Sequence, residues 1–134
     1  MSQNAEVHKM DLTTKDNRQR LTNMVLRLFE LWGLAPADQS SMLGLSTAGR
    51  TTLARYRKGT SVLAANDDLL GRAGHLLGIH KALRMIFPQN KELAYRWVTQ
   101  PNKRFSGQKP IDVMKQGYEG LLAVRRYLDF ERGR

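Results

Sequence analysis

The sequence predicts an all-α protein, and three observations lead to this fold class. Apolar residues recur at spacings of three and four in several segments, which is the period of an amphipathic helix. No segment of useful length alternates apolar and polar residues as a strand does. Proline and glycine stand at the ends of the periodic segments, where they start and stop helices. The 134 residues are enough for one modest core or two small helical units.

The first elements follow from this pattern. Residues 1–15 are polar and lack apolar periodicity, so we expect a flexible arm. Asp16 or Asn17 can then cap a helix. Gly33 stops that helix, and Pro36 starts a short helix that runs through Leu43. The predicted core stripe of the first helix is Leu21, Met24, Val25, Leu28, Phe29 and Trp32.

A turn and a basic helix come next. Gly44 permits a left-handed backbone, and Ser46 is an N-cap residue type. Helix, turn and helix in this order predict a helix-turn-helix over residues 16–62. The second helix ends at Gly59, and it begins either at Thr47 or, if residues 47–50 lengthen the turn, near Gly49 or Arg50. Leu53 and Tyr56 lie on its apolar side.

The polar residues of this segment match the chemistry of DNA recognition. Arginine can make paired hydrogen bonds to guanine edges, threonine offers a hydroxyl and a methyl group, and terminal cations neutralise phosphates. The alternative is an ordinary solvated surface helix. The predicted DNA-binding residues are Ser46, Thr47, Arg50, Thr51, Thr52, Arg55, Arg57 and Lys58.

The sequence pattern of the C-terminal region, residues 63–134, predicts four more helices. A long pattern from Leu63 to Phe87 ends at Pro88, and its three glycines indicate either close packing against another helix or a break in two. The remaining elements are a helix over 90–99, a loop over 100–109, a short helix from Pro110 to near Gly117, and a last helix over 118–132.

Composition restricts the function classes. The chain carries a formal net charge of +10, and both its halves are basic, so nucleic acid is the first partner to consider. It has no cysteine, and His75 and His80 are five residues apart, which suits metal chelation poorly. Without a nucleophile–base pair, a glycine-rich phosphate loop or a ligand cluster, we expect neither enzyme activity nor a cofactor. The sequence shows no membrane span or signal peptide, so the expected location is the cytoplasm.

A family resemblance covers about half of the chain. The residues that carry it are Leu76-Leu-Gly-Ile-His-Lys-Ala-Leu-Arg-Met-Ile-Phe-Pro88, Ala94, Trp97-Val98, Gln100-Pro101-Asn102, Phe105, Gly107 and Pro110-Ile-Asp-Val-Met114. In this spacing they resemble the toxin-binding domain of the Xre, MbcA and ParS antitoxins. The segments 43–46 and 52–59 are similar to the Xre-type helix-turn-helix that usually precedes this domain.

The resemblance implies a type II toxin–antitoxin module. Such antitoxins have no catalysis of their own: they block a RES-domain toxin that consumes NAD, and they repress their own operon. It also implies an operator DNA partner, read by a homodimer if the operator is palindromic. The alternative function is a stand-alone helix-turn-helix repressor without a toxin partner. The toxin-facing residues that the family resemblance implies are Asn102, Lys103, Arg104, Phe105, Gly107, Arg132 and Arg134.

Overall fold

The computed structural model describes residues 10–45 and 49–134, and every regular element in these two ranges is helical. The all-α prediction is therefore confirmed for them. Residues 1–9 and 46–48, which include the predicted DNA-binding residues Ser46 and Thr47, lie outside the described part. The helices are α1 Lys15–Leu31, α2 Pro36–Met42, α3 Gly49–Lys58, α4 Asp67–Ile86, α5 Lys91–Arg96, α6 Pro110–Met114 and α7 Tyr118–Arg132, with short 3₁₀ helices over Trp97–Thr99 and Lys103–Phe105.

Helix α1 begins earlier than the sequence predicts. Its cap is Thr14, whose hydroxyl accepts a hydrogen bond from the Asn17 amide at 3.3 Å, and neither Asp16 nor Asn17 is the capping residue. Arg18 then donates from Nε to the Leu63 carbonyl at 3.0 Å. Threonine is a preferred N-cap residue and here lies on extended backbone, so it caps the helix two residues before Asp16. The predicted core stripe is not changed by this shift. Within that stripe the buried residues are Leu21, Val25, Leu28, Phe29 and Trp32.

Helix α4 is one continuous helix that contacts both α1 and α7. It begins at Asp67 behind the cap Asn66, not at Leu63. Leu63 is instead buried in the preceding extended segment, where its amide donates to the hydroxyl of Thr22 at 3.0 Å. Of the two explanations for the glycines of α4, a break is wrong, because the helix is continuous; close packing holds for Gly71 and Gly78, whereas Gly74 faces open space.

Helices α4 and α7 run parallel with a repeat of seven residues. Tyr118 lies against Gly71, and the guanidinium of Arg125 lies against Gly78. One further repeat along, Arg132 Nη1 is 3.3 Å from the sulfur of Met85. The glycines allow this close approach, because a β-carbon at either position would displace the end of the α7 side chain. The segment that contains α5 and α6 returns the chain to the start of α7.

Candidate functional site

Helices α2 and α3 pack closely around a short turn. Gly44 takes the left-handed conformation, with φ of 64°, and the Leu45 amide donates to the Ser40 carbonyl at 3.0 Å. α3 begins at Gly49, the later of the two predicted starts. Gly49 is buried against the side chain of Ser40, and a β-carbon at Gly49 would displace the Ser40 hydroxyl. The start of α3 therefore lies directly on α2.

α3 has one buried and one exposed side. Leu53 and Tyr56 point into the core, and burial raises the pKa of the Tyr56 hydroxyl. The helix contains four basic residues and no acidic residue. Among the described residues, no acidic side chain pairs with Arg50, Arg55 or Lys58. The exposed residues of α3 are Arg50, Thr51, Ala54, Arg55, Arg57 and Lys58, and Thr52 is half-buried at the edge.

One predicted DNA-binding residue has a structural partner. Arg57 Nη2 donates to Oε1 of Gln39 in α2 at 2.6 Å. Gln39 is itself buried, and its Nε2 donates to the Leu34 carbonyl at 2.8 Å. The guanidinium of Arg57 therefore holds α3 against α2, a role that the sequence pattern did not reveal because both partners look like surface residues.

The C-terminal loop is built around Asn102. Its side-chain oxygen accepts from the Arg104 amide at 2.9 Å, and its carbonyl accepts from the amides of Phe105 and Gly107, both at 3.0 Å. Gly107 has φ of 83°. Asn102 and Gly107 therefore shape the turn, while Lys103 and Arg104 are among the exposed side chains of the loop.

An aromatic cluster fixes this loop to α7. The ring centroids of Phe105 and Tyr127 are 5.6 Å apart in an edge-on arrangement, and the indole of Trp97 stacks on Tyr127 at 6.3 Å. Arg104 places its guanidinium carbon 5.1 Å from the Tyr127 ring centre. Trp97 was predicted as a core anchor, and it is half-buried within this cluster. The loop thus has a defined position on α7.

The two C-terminal arginines lie on different flanks of α7. Arg132 pairs with Asp129 at 3.5 Å on the side that faces Met85 of α4. Arg134 pairs with Glu131 at 3.3 Å. Glu131 lies one helical turn after Tyr127, so this second pair is on the loop side of the helix.

A polar network links the two halves of the described chain. Arg72 of α4 pairs with Asp68 at 3.0 Å and lies 5.5 Å from the ring centre of Tyr118 in α7. A β-carbon at Gly44 would stand only 2.7 Å from the guanidinium carbon of Arg72. The side chain of Arg72 therefore fills the space between the α2–α3 turn and the start of α7.

His75 continues this network in its neutral form. Arginine can only donate, so Arg125 Nη1 donates to His75 Nδ1 at 2.9 Å, and His75 Nε2 carries the proton facing the Tyr118 oxygen at 3.1 Å. Burial, followed by the charges of Arg125 and Arg126, lowers the pKa of His75. Burial and Arg84 lower the pKa of His80, whose ring stacks on Tyr95.

Metal-ligand clusters and membrane-spanning helices within residues 10–45 and 49–134 would also bear on function. No group of three histidine or acidic side chains in these ranges is placed to hold a metal ion. None of their helices is both long and apolar enough to cross a lipid bilayer.

Comparison with known proteins agrees with the sequence resemblance. Residues 82–134 match the model of the antitoxin Xre/MbcA/ParS C-terminal toxin-binding domain. The chain is also 38% identical over 108 residues to the uncharacterized protein y4oB of Sinorhizobium fredii, and the alignment covers 80% of each protein. A toxin-binding domain implies a toxin partner and a regulatory antitoxin role. The chain therefore belongs to the same family as this relative, and its C-terminal part is an Xre/MbcA/ParS toxin-binding domain.

Proposed function

We propose that this antitoxin neutralises a RES-domain, NAD-consuming toxin through residues 82–134 and represses its own operon through α2 and α3. The toxin-binding role follows from the family domain. The toxin class follows from the sequence resemblance described above. The exposed residues Lys103, Arg104 and Arg134 would supply cations for an acidic surface of the toxin. Arg132 lies instead on the flank that faces Met85.

The exposed basic side of α3 is the observation that carries the DNA-binding part of the proposal. A ten-residue helix with four cations and no acid has an uncompensated positive field, and its packing against the short helix α2 supports the proposal that α3 is a recognition helix. Arg50 and Arg55 would read base edges, and Lys58 would contact phosphate. Ser46, Thr47, Thr51 and Thr52 would supply shorter contacts near the start of the helix. Arg57 acts here as a positioning residue through Gln39.

Two copies of the chain would read a palindromic operator. A single α3 covers only a few base pairs, so a homodimer with its recognition helices about one turn of DNA apart gives the specificity that a repressor needs.

The test is fluorescence anisotropy with the chain's own promoter and with unrelated DNA, each over a series of salt concentrations. Arg50→Ala and Arg55→Ala should each weaken promoter binding by about 1–3 kcal/mol and relax its base preference. Lys58→Ala should weaken binding to both DNAs. It should also reduce the slope of log affinity against log salt concentration by about one, as expected for the loss of one phosphate contact. Arg126→Ala, which removes an exposed arginine of α7, is the matched control and should change neither. If the Arg50 and Arg55 variants lose affinity equally for promoter and unrelated DNA, α3 is not the recognition helix.

A further inference from the structure

An apolar pocket opens beside the C-terminal loop, between the end of α4, the Trp97 segment and α7. Its volume is about 270 Å³, slightly below the roughly 300–1,000 Å³ of pockets that hold drug-sized molecules. This size suits a protein side chain better than a cofactor. The lining residues are Ile86, Phe87, Trp97, Tyr127, Leu128 and Glu131, all of which lie inside the toxin-binding domain.

An exposed aromatic residue lies on α7 three residues after Tyr127, which lines this pocket. Phe130 is 65% exposed, the larger of the two exposed fractions found among the big apolar side chains of the described chain. It follows Tyr127 by three residues, so the two are neighbours on the surface of α7. An exposed apolar side chain near an apolar pocket is typical of a surface that a protein partner covers.

The charges around the pocket indicate the charge of the partner's surface around the inserted side chain. Arg104 lies over Tyr127, Lys103 is exposed beside it, and Arg134 pairs with Glu131 at the rim. Because Glu131 already has a cation, the net charge of the rim is positive. Within residues 82–134 there are eleven basic and five acidic residues, so the whole domain favours an acidic partner.

The pocket is also held in shape before anything binds. The stacked and edge-on rings of Trp97, Phe105 and Tyr127 support one wall, and the hydrogen bonds of Asn102 support the loop above it. A preformed pocket loses little conformational entropy on binding, which increases the affinity gained from one inserted side chain.

We propose that this pocket receives a single aromatic or long aliphatic side chain of the toxin, which projects from an acidic patch and also packs on Phe130. The inference deepens the toxin-binding function proposed above and rests on it. It places the main contact on the loop side of α7. The opposite flank is a poorer candidate, because the sulfur of Met85 already contacts Arg132.

The experiment measures binding of the full chain to the purified product of the adjacent toxin gene by titration calorimetry. Phe130→Ser should weaken binding about 30-fold, the effect of losing an aromatic hot-spot residue. Ile86→Asp puts a carboxylate into the pocket and should weaken binding at least as much. Met85→Ser is the matched control, because Met85 is 54% exposed on the other flank, and it should change the affinity less than about twofold. The thermal unfolding midpoint and promoter binding of each variant report whether its fold is intact.

The outcomes separate the inference from the function on which it rests. If the wild-type chain binds no toxin, the proposed function fails. If the wild type binds and the folded Phe130→Ser and Ile86→Asp variants bind within twofold of it, the pocket is not the anchor site. An equal loss in Met85→Ser would overturn the inference as well, because the contact would then not be confined to the loop side.

Discussion

Helices α3 and α7 are both rich in arginine, but their arginines are surrounded differently. In α7, Arg125 and Arg132 both pair with Asp129. In α3 no acidic residue is present on the helix, and Arg55 has no ion pair among the described residues. Arg125 and Arg132 of α7 therefore serve internal structure, whereas Arg50 and Arg55 of α3 remain available to an external anion. The presence of a nearby acid distinguishes these two pairs of arginines.

The first prediction concerns the packing of α7 against α6. A β-carbon at Gly120 would collide with the backbone carbonyl of Val113 at the α6–α7 contact. Because backbone cannot move as a side chain can, Gly120→Ala should lower the free energy of unfolding by about 3 kcal/mol, measured by urea denaturation. Gly74→Ala in α4 is the control: it faces open space and should stabilise the protein by about 0.5–1 kcal/mol. If Gly120→Ala leaves the free energy of unfolding unchanged, α6 and α7 are not packed as described.

The second prediction compares one arginine from each helix. Arg125 is only 19% exposed, covers Gly78 and donates to His75, so Arg125→Ala should cost about 2 kcal/mol of unfolding free energy. Arg55→Ala removes an exposed side chain and should stay within about 0.5 kcal/mol of the wild type. Equal losses of unfolding free energy in the two variants, measured by urea denaturation, would contradict this difference between the two arginines.

The smallest effect is a pH dependence of stability. The pKa of His75 is lowered in the folded protein, so the unfolded chain binds its proton more readily. This contribution to stability is complete above about pH 6.5 and is lost as the pH falls through the folded-state pKa. Unfolding free energy should therefore decrease from pH 7.5 to pH 5, with less than about 1 kcal/mol due to this partly exposed group. His80, whose pKa is also lowered, adds in the same direction.

His75→Gln separates this contribution from that of His80. Urea denaturation at each pH should show a smaller loss of stability on acidification for this variant than for the wild type. An identical pH profile would show that the proton on His75 does not affect folding.

Local sequence signals predicted most of the helices and their boundaries. Pro36 and Pro110 start their helices, Gly33 and Gly44 have positive φ after theirs, and the apolar stripe of α1 is buried. These features depend only on nearby residues, so a single sequence contains them. Where two residues compete for a cap, as Thr14 does with Asp16, propensity alone does not decide between them.

The contacts between distant segments could not be predicted in the same way. Arg57 meets Gln39, Arg72 meets Gly44, and the loop meets α7 only because the tertiary fold brings them together. The glycines of α4 gave a partial signal, since they indicated close packing without naming the partner. The pocket beside Tyr127 gave no sequence signal, because its lining residues are also ordinary core types.

The central claim is that this chain holds a RES-domain toxin with one part and its own promoter with another. Co-expression with the adjacent gene, affinity purification of the chain at high salt and mass spectrometry of what stays bound test it most directly, because salt removes nucleic acid but spares a packed interface. We expect a stoichiometric RES-domain protein, in a complex that still shifts promoter DNA once the salt is lowered. A chain that elutes alone and yet shifts this DNA would contradict the claim and favour a stand-alone repressor.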